Sequence, residues 1–136
     1  MALPRNTPNR YSNSRQLISG SDINNINDSH NSIQLLTAST TQTQAGAQLA
    51  LINAANVLLT VGNANDAIAL PLGYPGLSIW ISNPAGNSAQ VYGSGTDTIN
   101  DVATATGVAQ AASKTAIYTC VAVVSGVGKW YRILTA

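Results

Sequence analysis

Few side chains in this sequence could perform chemistry. Aspartate is the only acid, at five positions, and there is one histidine, His30, and one cysteine, Cys120. A hydrolase needs a nucleophile beside a base, or two carboxylates across a cleft. Asp97 and Asp101 are close in the chain, but they sit in a turn-rich stretch where aspartate commonly serves the backbone. His30 has no neighbouring residues suited to a metal site or a catalytic dyad. A lone cysteine excludes an internal disulfide and a cysteine-built zinc site, and Cys120 reads as a core residue. Gly93-Ser94-Gly95 has the outline of a phosphate-cradling loop, yet it lacks the P-loop lysine and opens no helix. Asn27-Asp28-Ser29 fits a glycosylation acceptor without a secretory signal before it. We therefore expect no catalytic residue, no cofactor and no metal, and a protein that is not an enzyme.

Composition points to assembly instead. The chain has 136 residues, of which 8% are charged, and a formal net charge of +1. Ordinary soluble domains carry about 25% charged residues. A surface this neutral is suited to being covered by copies of the chain or by a partner, so a homo-oligomer is expected. The opening MALPRNTPNRYSNSR has no apolar segment, and no run approaches the roughly 18 apolar residues of a membrane span. Synthesis in a cytoplasm, without an export address and without a membrane partner, is the expectation. Arg5, Arg10 and Arg15 are half of the six basic residues, but three arginines with no basic face elsewhere make a weak footprint for nucleic acid. Docking on a protein surface suits this arm better, with Tyr11 among its contacts.

The elements that must position these residues are mostly strands. Ala, Thr, Ser, Asn, Val and Ile dominate, and turn signals recur every eight to twelve residues, as in a sandwich of short antiparallel strands. Residues 1–32 read as an N-terminal arm with one short helix, capped by Ser21 with Asp22 in its first turn, and residues 33–136 as the β domain. Ile33–Thr37 and Leu49–Ile52 bracket a polar linker or edge strand. Strands follow over Asn56–Val61, Asp66–Leu70, Thr104–Gln110, Thr115–Val124 and Lys129–Leu134, with a very short one within Gly93–Asn100. The sharpest pattern is Leu77–Tyr92. Leu77, Ile79 and Ile81 alternate with Ser78, Trp80 and Ser82, and the return strand carries Ala89 and Val91. Asn83–Asn87, NPAGN, predicts the loop of a hairpin, with asparagine capping its own turn and glycine accepting a positive φ. Such a hairpin sets Trp80 beside Tyr92 on its outer face. Both faces of Thr115–Val124 are apolar, which implies a covering layer from the arm, the helix or another subunit.

The succession TASTTQTQAGA, NVLLTV, DAIALP, SIWISNPAGNSAQVY, DTIN and IYTCVAVVSGVGKWY, preceded by NSRQLISGSDINNINDSHNSI, resembles small structural proteins of tailed bacteriophages. The resemblance implies a capsid decoration, or cement, protein. Its fold would be a jelly-roll-like antiparallel sandwich, with trimers favoured over dimers, on the outer surface of the virion head where it bridges major capsid protein subunits. Similar modules occur in phage fibres and tails, where receptor or glycan binding is the role. In either setting Arg5, Arg10, Tyr11, Arg15, Trp80 and Tyr92 are the expected contacts with the capsid or with another subunit.

Overall fold

The computed structural model describes residues 33–136. Nine strands run in chain order: β1 Ile33–Thr37, β2 Asn56–Thr60, β3 Asp66–Ala69, β4 Ser78–Asn83, β5 Ala89–Tyr92, β6 Thr98–Ile99, β7 Val108–Gln110, β8 Lys114–Val124 and β9 Val127–Leu134. One short helix, α1 (Gln44–Ala47), and a 3-10 turn at Gln48–Ala50 lie between β1 and β2. A six-stranded sheet has the order β1-β2-β4-β8-β9-β6, and a three-stranded sheet has the order β3-β5-β7. The all-β, two-sheet expectation holds. The antiparallel jelly-roll arrangement does not, because β1/β2, β2/β4, β3/β5 and β9/β6 are parallel pairs.

Two of the parallel pairs, β2/β4 and β3/β5, arise from how the chain moves between layers. From β3 to β8, every strand lies in the sheet opposite its predecessor. Leu77–Tyr92 is accordingly an arch and not a hairpin: β4 pairs with β2 and β8, while β5 pairs with β3 and β7. Alternation could not separate these cases. Ile79, Ile81, Ala89 and Val91 face the same core whether their strands lie side by side or across from each other. The loop does keep its predicted cap, with Asn83 Oδ1 accepting from Ala85 N at 3.2 Å and Asn83 Nδ2 donating to Asn87 O at 2.9 Å. Ala85 packs against the core, which draws the loop across the sandwich instead of out into solvent. Gly86 is not among the positive-φ glycines, so that part of the loop reading is corrected.

Two other segments behave differently from each other. The polar stretch after β1 is not an edge strand. Its Thr43 side chain caps α1 by accepting from Gly46 N at 3.1 Å, and α1 and the 3-10 turn place Ala47 and Ala50 in the interior. The β8–β9 hairpin closes as its sequence suggests, through Ser125 and Gly126, both at positive φ as a two-residue turn between twisted strands requires.

Between the sheets sits one apolar core, with Ile68 and Val91 from the smaller sheet, and Leu70 just after β3, together with Leu59, Ile81, Cys120 and Trp130 from the larger. Cys120 is buried, as expected. Polar groups inside are satisfied across the layers. Gln110 of β7 accepts from Tyr118 Oη of β8 at 3.0 Å and donates to Ile81 O of β4 at 2.8 Å. Burial holds the Tyr118 phenol well above its ordinary pKa. Asp97, just before β6, accepts from Gly73 N and Gly128 N, each at 2.7 Å, and from Trp130 Nε1 at 3.3 Å. A Cβ on Gly128 would stand 2.6 Å from the carboxylate, so the backbone can approach only as glycine.

Asp97 thus ties the β3–β4 connection to β9. Asp97→Ala strands three donors, and we expect it to lower unfolding free energy by about 3 kcal/mol, while Asp101→Ala at the surface stays within about 0.5 kcal/mol. Urea midpoints of the two variants check this; equal midpoints would contradict it.

Candidate interaction surface

The two sheets differ in what covers their outer sides. Every residue of β3 is buried. Outside the smaller sheet, Ala47 of α1 packs with Ala67, Ala69 and Tyr92, so this chain covers that layer itself. Among the described residues the larger sheet has no comparable cover. Its outward positions follow from the register, in which Ile33 of β1 aligns with Asn56, Asn56 with Trp80, Trp80 with Ile117 and Ile117 with Ile133. This row crosses five strands, and Trp80 at its centre is 52% exposed. A parallel row adds Leu35 beside Leu58, and Val121 and Val123 extend the apolar area along β8. Single exposed apolar residues are ordinary; here Ile33, Leu35, Leu58, Trp80 and Ile133 share one side of the larger sheet, with Asn56 as the polar member of the row.

Hydroxyls flank Trp80. Ser78 and Ser82 share its side of β4 and bond across to Thr119 and Thr115 of β8, at 2.8 and 3.0 Å. These bonds satisfy the polar groups within the sheet itself and leave the ring as the prominent feature. The predicted pairing of Trp80 with Tyr92 is corrected, since the arch puts them in different sheets. Tyr92 is only 8% exposed, its ring packed beneath α1 and its hydroxyl donating to Gln42 O at 3.4 Å. Arg5, Arg10, Tyr11 and Arg15, and the helix expected before β1, lie outside the described residues. Sequence reading missed Ile33, Leu35, Leu58 and Ile133 as surface residues, because each looks like core until the sheet order shows which side it takes.

The aspartates of the described residues serve the structure. Asp66 is buried and accepts from Asn63 N at 2.8 Å, and Asp97 is the tie described above. A shallow cleft at one end of β4 and β8 is lined by Ser82, Asn83, Pro84, Ser113, Lys114 and Thr115, with Lys114 Nζ donating to Ala136 O. Neither Asp97 nor Asp101 reaches it. Asp101 instead forms the polar corner of the outer face, accepting from Tyr131 Oη at 2.7 Å, with Lys129 Nζ 3.8 Å away.

That hydrogen bond to the Asp101 carboxylate raises the Tyr131 pKa above the ordinary 10.0. A value raised by folding means that the contact contributes stability below the unfolded phenol pKa and loses it as pH climbs through the folded value. Absorbance titration of tyrosinate should show one phenol ionising at lower pH in Asp101→Asn than in the parent; superimposable curves would contradict the contact. Compared with known proteins, the chain matches no family model, no curated protein and no solved structure.

Proposed function

We propose that this chain is a non-enzymatic assembly protein whose larger sheet docks, by its outer face, on another protein. The observation that carries this reading is the exposed row from Ile33 through Trp80 to Ile133, which has no cover among the described residues, on a chain that covers the back of its smaller sheet itself. Covering one such large side chain contributes roughly 1.5–3 kcal/mol. A handful of them, repeated by symmetry in a trimer, is enough for tight attachment through individually weak contacts. The resemblance to phage structural proteins supplies the partner. The chain decorates the outer surface of a bacteriophage head, bridges major capsid protein subunits and stabilises the shell, with the arm bearing Arg5, Arg10, Tyr11 and Arg15 reaching a neighbour. Of the jelly-roll that the resemblance implies, this reading needs only a two-layer sandwich with one face to spare. The low charge of the chain fits a protein that works in a crowded lattice.

A second reading has one observation in its favour. An exposed tryptophan between paired hydroxyls is also a platform for a sugar ring, as a fibre or tail module for glycan or receptor binding would require.

Co-sedimentation with purified capsids and with host cells separates the two. We expect binding to capsids, weakened at least tenfold in Trp80→Ser/Ile133→Ser, since about 1.4 kcal/mol already equals a factor of ten. The double variant should keep its urea midpoint within the small range typical of surface changes. Adsorption to cells with none to capsids would overturn the decoration reading in favour of the glycan module.

A further inference from the structure

Beside the apolar row that runs through Trp80, the outer face of the larger sheet carries a polar one. Ser78 of β4 aligns with Thr119 of β8, and Thr119 with Tyr131 of β9. The row ends on Asp101, in the turn after β6, whose carboxylate accepts from Tyr131 Oη at 2.7 Å. Hydroxyl, hydroxyl, phenol and carboxylate therefore follow one another across the strands, with the ring of Trp80 alongside on β4. Lys129 Nζ, 3.8 Å from Asp101, leaves the row without net charge.

These groups keep hydrogen-bonding capacity toward the outside. Ser78 Oγ and Thr119 Oγ1 lie 2.8 Å apart and use one proton between them, so the pair has a second O–H to donate and lone pairs that accept. Tyr131 Oη directs its proton at Asp101 and can still accept, and the residue is 42% exposed. The Asp101 side chain is 60% exposed. It is held in place against backbone preference: Asn100 and Asp101 have φ of 51° and 58°, successive left-handed positions that side chains seldom adopt. Asn100 N donates to Trp130 O at 2.8 Å and Arg132 N donates to Asn100 Oδ1 at 2.9 Å, which fixes that turn against β9.

A ligand that matches this row needs a flat apolar side for Trp80 and hydroxyls set out in a line. An extended sugar chain has both, since ring C–H groups meet the negative face of an indole while the hydroxyls project at the ring edge. Neighbouring strands lie about 4.8 Å apart, close to the advance per ring of an extended pyranose chain, so successive rings fall on successive strands.

We propose that Ser78, Thr119, Tyr131 and Asp101, with Trp80, form an extended binding site for a neutral, linear oligosaccharide lying across β4, β8 and β9. One ring stacks on Trp80 and bonds to Ser78, the next bonds to Thr119, and the third lies against Tyr131 and donates a hydroxyl to Asp101. The site deepens the glycan-module reading and rests on it, because without stacking on Trp80 there is nothing to extend.

Fluorescence titration of the full chain, with Trp80 as the reporter and buried Trp130 as a constant background, tests the site. The probes are cello-, manno- and chito-oligosaccharides, each from the monosaccharide to the hexasaccharide. Affinity for at least one series should rise with each ring up to the trisaccharide and level off beyond it. Thr119→Val and Asp101→Ala should each weaken trisaccharide binding about fivefold, the effect of one lost hydrogen bond, and leave monosaccharide binding unchanged. The length series uses the parent chain, so it decides the matter even where a variant misfolds. Equal affinity for monosaccharide and trisaccharide, or full trisaccharide affinity in both variants, would overturn the extended site and leave the glycan-module reading standing; no binding of any series would overturn both.

Discussion

The structure depends on one constraint of chain path: after β2 each strand crosses to the opposite sheet until β8 is reached. Strands consecutive in sequence along that path do not pair, and some neighbours within a sheet come from successive passes that run the same way, while β4/β8 and β5/β7 run antiparallel. The parallel pairs β2/β4 and β3/β5 follow directly. The β4–β5 crossing draws part of its loop inward, with Ala85 packed against the core and Asn83 bonded at once to its own loop and to Ala111 O at 3.2 Å. Buried backbone that leaves one sheet before joining the other must find partners outside any ladder, and here side chains of Asn83, Asp97 and Gln110 provide them.

Those polar ties explain how a thin sandwich with a two-residue strand keeps one arrangement. Gln110 bonds to both Tyr118 and the β4 backbone, so a shift of β7 along the larger sheet would break a buried network instead of sliding over a greasy one. Asp97 does the same between β9 and the loop at Gly73. With the interior fixed in this way and α1 packed on the smaller sheet, several of the exposed apolar side chains, Ile33, Leu35, Leu58, Trp80 and Ile133 among them, share the outer face of the larger sheet. The docking proposed for the larger sheet draws on that asymmetry.

Much of this was legible in the residues, and the failures have a common cause. The strand positions, the Ser125-Gly126 turn and the burial of Cys120 follow from alternation and turn chemistry, which are local. The arch at Asn83–Asn87 was not legible as an arch, because side-chain alternation reports which face is buried and says nothing of which sheet a strand has joined. The helix at Gln44–Ala47 hid in a polar stretch whose one signal was Thr43, a cap three residues before a glycine. For the candidate surface, Trp80 stood out as a ring on a polar strand face. Ile33, Leu35, Leu58 and Ile133 did not, since an aliphatic residue in a strand reads as core until the sheet order shows which side it takes. Tyr92 erred in the other direction: α1, which covers it, was not foreseen.

Everything functional in this account rests on the outer face of the larger sheet being covered by protein in the working state. Acrylamide quenching of tryptophan fluorescence tests this directly, because Trp130 is fully buried and Trp80 is the accessible ring. Measured alongside mass by light scattering, with and without capsids, Trp80 should lose its accessibility as particles larger than the 14.0 kDa chain form or as capsid is added. A particle that stays at 14.0 kDa, with Trp80 equally quenchable at every concentration and in the presence of capsids, would contradict the account.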